Sequence, residues 1–222
     1  MVAKQSHRTW QGGSPQPLET IKLPPPVFKA RLAFATALRR RRTIREISER
    51  KLSPQILSNL LWAACGVNRR KGPFGMPGRT AASASNSQEI DVFVALKQGT
   101  YRYDPDRHRL MLAVAADLRG LAISRGQGGG EHAPVRLIYV ADIDRLAHTR
   151  GYQEPGLRDP DVQRSYYFVD TGLIAANVYL YAASVGLAAW FHNCDRKALT
   201  GKLALRNDQR ALFAQTVGYP AK

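Results

Sequence analysis

The feature that most restricts this chain is a run of residues, 171–193, without a single Asp, Glu, Lys or Arg. Charged residues make up 23% of the chain, so an uncharged run of this length must be sheltered from water, either in lipid or in protein. A bilayer span requires about 20 uncharged residues, and length alone would allow one. The composition argues against it. Asn177, Ser184 and Gly186 dilute the apolarity, Asp170 and Asp195 flank the run where basic residues would be expected, and the chain has no second segment of this kind. The run is therefore read as a central helix over 166–184, packed on all sides inside a soluble domain and broken at Gly186. A short strand over 187–191 follows.

The rest of the chain must supply what surrounds that helix. With 222 residues and 44% apolar composition, it can build one full core but not comfortably two. Residues 1–28 carry Gly12-Gly13-Ser14-Pro15 and Pro24-Pro25-Pro26 and read as an extended arm, leaving 29–222 as the folded domain. A short helix is expected over 29–38. A clearer one starts at Ser53 as N-cap with Pro54 in the first turn, carries Ile56, Leu57, Leu60, Leu61 and Ala64 on one face, and stops at Gly66. Residues 68–84 read as a loop, 90–96 as a strand, and Gly99 as the turn into a hairpin partner at 101–103. A helix over 110–123, a Gly-rich loop over 125–132 and a strand over 136–141 come next. Asp195 caps a last helix reaching 203, and 212–217 forms the final strand. Strands and helices mix without a βαβ rhythm, so the class is α+β with a central, mostly antiparallel sheet flanked by helices, not a doubly wound sheet.

Several function classes fall away. Cys65 and Cys194 form no Cys-x-x-Cys pair, which removes zinc ribbons and thioredoxin-like sites, and Cys65 at a helix end is expected to be a packing residue. The five histidines show no ligand spacing, so no metal site is expected. Gly126-Gln127-Gly128-Gly129-Gly130 lacks the Lys-Ser/Thr of a phosphate loop. No secretory core stands near the start, which favours the cytoplasm and leaves an exported form with a missing leader open. The formal charge of +16 points to an anionic partner.

Two segments carry candidate chemistry. Arg41-Arg42-Thr43-Ile44-Arg45 concentrates three guanidinium groups and a hydroxyl, a phosphate cradle because Arg donates paired, permanently charged hydrogen bonds. If the segment is extended, 41, 43 and 45 share one side; the alternative is a solvated basic face trailing a helix. Residues 79–88, Arg-Thr-Ala-Ala-Ser-Ala-Ser-Asn-Ser-Gln, run directly into the strand at Ile90. Their small side chains would let a flat aromatic ligand approach the backbone while Ser and Asn address its polar edge; the alternative is a flexible linker.

Together the two segments resemble the nitroreductase family of flavin enzymes. Members carry an Arg-Arg-Ser-x-Arg-like sequence that binds the phosphate of flavin mononucleotide (FMN), and a Pro-Ser-Ser-x-Asn-x-Gln-Pro loop that contacts the flavin from the partner subunit. The long central helix, the Gly186-Leu187 exit and the closing Val217-Gly218-Tyr219-Pro220 are also similar to the family, so the likeness runs from about 29 to the end. The resemblance implies a nitroreductase-like fold, an intertwined homodimer with two FMN sites, and hydride transfer from NADH or NADPH through flavin N5 to a small oxidised acceptor such as a nitroaromatic or quinone. By the same resemblance Arg41, Arg42, Thr43 and Arg45 would hold the phosphate, and Ala82, Ser83, Ala84 and Asn86 the ring and ribityl. His192 and Asn193 would lie at the ring edge, and Lys222 would complete the phosphate site. The chain departs from the pattern at Ala82 and Glu89, where Pro is usual, and at Ala189-Trp190-Phe191-His192-Asn193, where relatives carry glycines. Gly99-Thr100-Tyr101-Arg102-Tyr103-Asp104 looks most like the single-domain relatives of the azoline dehydrogenases, although no Lys-Tyr pair of that activity is present. The rival expectations are a basic module for nucleic acid or another polyanion, and a flavin carrier without turnover.

Overall fold

The computed structural model describes residues 20–28, 33–124, 126, 127, 130, 132–149 and 159–221. Its core is a seven-stranded sheet in the order β1-β6-β5-β4-β7-β9-β8, with every neighbouring pair antiparallel. The strands are β1 (Thr20–Lys22), β4 (Ile90–Leu96), β5 (Gly99–Asp104), β6 (Arg109–Val114), β7 (Val135–Asp142), β8 (Ala188–His192) and β9 (Gln209–Gly218). β2 (Val67–Arg69) and β3 (Gly78–Arg79) form a separate pair. Helices α1 (Phe34–Arg40), α2 (Pro54–Cys65), α3 (Ile143–Ala147), α4 (Pro160–Val185) and α5 (Arg196–Lys202) surround the sheet. The class is α+β.

The alternation of side chains along the central strands divides the core into two layers. Val135, Leu137, Tyr139 and Ala141 of β7 join Val92 and Val94 of β4 in a cluster with Leu60 and Leu61 of α2 and Ile174 and Val178 of α4. The intervening residues, Ile138 and Val140 with Phe93 and Ala95, pack on the opposite face against Leu118, Leu199 and Leu203. β7 is buried along its whole length for this reason. Sheets covered on both faces make their central strands largely apolar; the buried exceptions in β7 are Asp142, the N-cap of α3, and Arg136, which donates to Gly130 O at 2.7 Å.

The helix ends follow the capping residues. Ser53 Oγ accepts the Ile56 N–H at 3.3 Å and Pro54 opens α2. α4 starts six residues before the expected 166 because Asp159 caps it, accepting the Asp161 N–H at 2.8 Å, and Pro160 takes the first turn. Its end at Gly186, φ 74°, is the left-handed stop that glycine supplies.

Five expectations need correction. Residues 110–123 are not a helix: Leu110 and Met111 pair with Tyr103 and Arg102 in the β5–β6 hairpin, and turns follow. A short apolar run satisfies either period, and cross-strand pairing decided it. The arm ends as a strand, with Thr20 opposite Met111; residues 1–19 lie outside the described residues. The expected helix over 29–38 is formed over Phe34–Arg40, with 29–32 outside the described residues, and the loop over 68–84 contains β3. Finally, α4 is not enclosed on all sides. Val169 is 58% exposed and Leu173 40%, and Phe168 is also exposed. Among the described residues α4 alone is long and apolar enough to cross a membrane, but one face is covered by the sheet and by α1 and α2.

Candidate functional site

The arginine run continues from α1 along the free edge of the sheet. Ile44 N–H donates to Ala189 O of β8 at 3.1 Å, Ser48 N–H to Tyr219 O at 2.8 Å, and Ala221 N–H to Glu46 O at 2.9 Å. This backbone docking gives the segment an extended course. Arg41 and Thr43 both meet Tyr179 of α4: the guanidinium lies 5.6 Å from the ring centroid, and the Thr43 and Tyr179 hydroxyls are 3.2 Å apart. Tyr179 Oη in turn accepts the Phe191 N–H at 2.8 Å, tying α4 to β8. Arg45 lies 5.5 Å from the Trp190 ring centroid and borders a cleft of about 480 Å3 shared with Trp190, Phe191, Asn193 and Phe213. Arg41, Arg42 and Arg45 are exposed and none has an ion-pair partner among the described residues. Three unneutralised guanidinium groups with a hydroxyl at one sheet edge are suited to a phosphate.

The second segment is held from behind by buried acids. Ala84 N–H donates to Asp170 Oδ2 at 2.9 Å, Ser87 Oγ donates to Glu89 Oε2 at 2.5 Å, and Gln88 N–H donates to Ser83 Oγ at 3.0 Å. Arg145 Nη1 donates to Gln88 O at 2.7 Å and Arg79 Nε to Gln88 Oε1 at 2.7 Å. These contacts hold Ser85, Asn86 and Gln88 at positive φ of 47°, 57° and 54°, a region that costs ordinary residues of order 1 kcal/mol each. The segment is therefore a built turn and not a linker. Glu89 is fully buried and Asp170 nearly so. Burial, and then the nearby Asp170 carboxylate, push the Glu89 carboxyl up to about 7, and burial raises Asp170 as well. Two acids so placed favour holding one proton between them. Glu89 Oε1 and Arg79 Nη1, both buried without a hydrogen-bond partner among the described residues, line one small cavity with Ala82 and Ser83.

The remaining expected residues are placed differently from one another. His192 is buried; its Nε2 lies 2.7 Å from Thr216 Oγ1 and its Nδ1 2.8 Å from Asn193 O. The carbonyl only accepts, so Nδ1 carries the proton and Nε2 accepts from Thr216. Burial holds the ring down to about 4, hence neutral, and both nitrogens are spent, Nε2 in tying β8 to β9 and Nδ1 on the carbonyl of the next residue. Asn193 is exposed beside the Arg45 cleft. Lys222 lies outside the described residues. Cys65 is buried and its thiol is pushed up to about 12, as suits a packing residue.

The structure adds Tyr179, Trp190, Asp170 and Glu89 to the site. Glu89 and Trp190 stand out in the sequence as departures from the family pattern and Asp170 as the last acid before the uncharged run, whereas nothing local marks Tyr179. Between the two candidate segments no hydrogen bond or ring contact occurs among the described residues.

A sequence model of the nitroreductase family matches residues 38–219. Over 164 residues the chain is 31% identical to a candidate nitroreductase of Methanocaldococcus jannaschii, covering 67% of this chain and 72% of that protein. The crystal structure of a candidate nitroreductase from Ralstonia eutropha is similar with a TM-score of 0.80 at 36% identity, over 96% of this chain and 97% of that one. The NADPH:FMN oxidoreductase of Vibrio harveyi, solved with NAD+, shares the fold at a TM-score of 0.59 and 19% identity, over 85% of this chain and 69% of that one. A match that takes in the arginine run, the 82–88 turn, α4 and six of the seven strands of the sheet leaves one assignment: the chain belongs to the nitroreductase family, among the flavin-dependent oxidoreductases.

Proposed function

We propose that the chain is an FMN-dependent oxidoreductase, working as a homodimer with two equal sites, that takes hydride from NADH or NADPH and passes it to a small oxidised acceptor such as a nitroaromatic or quinone. The observation that carries this reading is the separation of the two segments. Each is built and held, the arginine run against β8 and the 82–88 turn against Asp170, yet within one chain they do not meet. A second copy related by a two-fold axis would bring one copy's turn to the other's arginines. The exposed apolar face of α4, with Phe168, Val169 and Leu173, supports a partner there.

The residues present fit FMN. Arg41 and Arg45, with the Thr43 hydroxyl, offer charge-assisted donors to a dianionic phosphate, and Arg42 adds charge to the same stretch. The Trp190, Phe191 and Phe213 rings offer flat apolar surface beside Arg45. When bound, the flavin supplies two-electron hydride exchange at its N5, and the protein contributes orientation and electrostatics. The surplus of basic residues would favour an anionic reduced ring and attract an anionic dinucleotide.

The test is the visible spectrum of the purified protein and its anaerobic bleaching by each nicotinamide. A yellow protein bleached by NADH or NADPH is the expected result. A yellow protein that neither donor reduces would be a flavin carrier. A colourless one that binds nucleic acid with steep salt dependence would be the polyanion module.

A further inference from the structure

A second cleft, of about 860 Å3, opens on the α2 face of the sheet, where β1 and β6 meet the start of α2, and includes none of the residues of the arginine run or the 82–88 turn. Its floor is aliphatic: Leu96 of β4 and Leu110 of β6 are buried, and Leu57 of α2 forms a half-buried wall. Three lysines stand around it, each from a different element: Lys22 on edge strand β1, Lys51 just before α2, and Lys97 at the β4–β5 turn. All three are exposed, and none has an ion-pair partner among the described residues.

Their identity is informative. Of the 33 basic residues nine are Lys, so 24 are Arg, and the longest basic run, Arg39 to Arg42, is built from Arg alone. One third of the lysines meet at this single cleft. The one arginine lining it, Arg119, is already engaged, with its Nη2 2.7 Å from Asp117 Oδ2 and its Nη1 donating to Ala133 O at 2.9 Å. Glu49 is the one acid among the lining residues. An aliphatic floor under several unpaired ammonium groups is complementary to a molecule with an apolar tail and an anionic head. Ammonium groups on flexible stems act as point charges, so they impose no planar, bidentate geometry on that head.

We infer that this cleft binds a small amphiphilic monoanion, an apolar tail of medium length ending in a carboxylate, at a site separate from the proposed flavin site. The tail would lie against the half-buried Ile21, Leu52 and Leu57, and the head would sit among Lys22, Lys51 and Lys97. Burial of each methylene favours binding independently of salt, whereas the head-group term falls as salt rises.

The test is calorimetric titration of the full-length protein with octanoate, with octanol and octyltrimethylammonium as head-group comparators, at low and high salt. Octanoate should bind at least tenfold more tightly than either comparator and weaken as salt rises. The triple variant Lys22→Glu/Lys51→Glu/Lys97→Glu should lose at least tenfold in octanoate affinity. A control carrying the same change of charge elsewhere, Lys71→Glu/Lys197→Glu/Lys202→Glu, should stay within about twofold of the parent. Saturating FMN should leave the octanoate Kd unchanged. No binding of octanoate, equal binding of octanol, equal loss in the control variant, or displacement by FMN would each overturn the inference. The comparators keep the parent protein informative if the triple variant does not fold, and none of these outcomes depends on redox turnover.

Discussion

Replacing Glu89 by Gln removes a titrating proton from the buried acid pair behind the 82–88 turn while keeping the shape of the side chain. The magnitude follows from the structure. Glu89 is fully buried, one of its oxygens has no hydrogen-bond partner among the described residues, and Asp170 stands beside it. Burial and that neighbour raise the folded-state carboxyl from 4.5 to about 7. The facing charges are Arg145, held to the Gln88 carbonyl and paired with Asp91, and Arg79, paired with Asp106. A pKa raised on folding means that the folded state binds the proton more tightly than the unfolded state. Stability is then full below the unfolded value and is lost as pH rises through the folded one. The gap of 4.5 to about 7, at about 1.4 kcal/mol per pH unit, amounts to about 3 kcal/mol of native stability lost by pH 8.5. Glu89→Gln does not titrate. It should match the parent within about 1 kcal/mol at pH 5 and exceed it by about 2–3 kcal/mol at pH 8.5. Urea denaturation of both proteins across pH 5 to 8.5 reads this directly. Parallel stability curves over that range would show that Glu89 is not held protonated, and the account of the pair would be wrong.

Two further outcomes test the architecture. Tyr179→Phe deletes the hydroxyl that accepts the Phe191 N–H and meets Thr43, and it should cost about 1–2 kcal/mol in denaturant melts with a parallel loss of FMN retention. A variant as stable as the parent would mean that the α4–β8 tie is dispensable. Val169→Asp places a charge on the exposed apolar face of α4, where it should convert the proposed dimer to a monomer in sedimentation experiments with little effect on protomer folding. A dimer unchanged by that substitution would move the interface elsewhere.

Some of this molecule is written locally in the sequence. Ser53, Pro54 and Gly66 bracket α2 because caps act on the adjacent backbone, and the apolar pattern of 90–96 marks β4 because every side chain there except Asp91 enters one of two cores. The Arg41–Arg45 run was visible as a local concentration of charge. The 110–123 region misled because Leu110, Met111 and Leu112 fit both periods, and only pairing with β5 fixes them as strand. Enclosure of α4 could not be read from composition, since an apolar residue reads the same whether the fold covers it, as at Ile174 and Val178, or leaves it exposed, as at Val169 and Leu173. The Ala84–Asp170 bond spans 86 residues and the Thr43–Tyr179 contact 136, so no local pattern announces either.

The claim on which the functional reading stands is that guanidinium groups at the edge of β8 grip the flavin phosphate. Titration of flavin-free protein with FMN and with riboflavin, in the parent and in Arg41→Ala and Arg45→Ala, tests it most directly. The account predicts at least tenfold tighter binding of FMN than of riboflavin by the parent. Each variant should lose about 1.5–3 kcal/mol for FMN, and riboflavin affinity should be unchanged. Equal affinity for the two flavins in the parent, or FMN binding untouched in both variants, would contradict it.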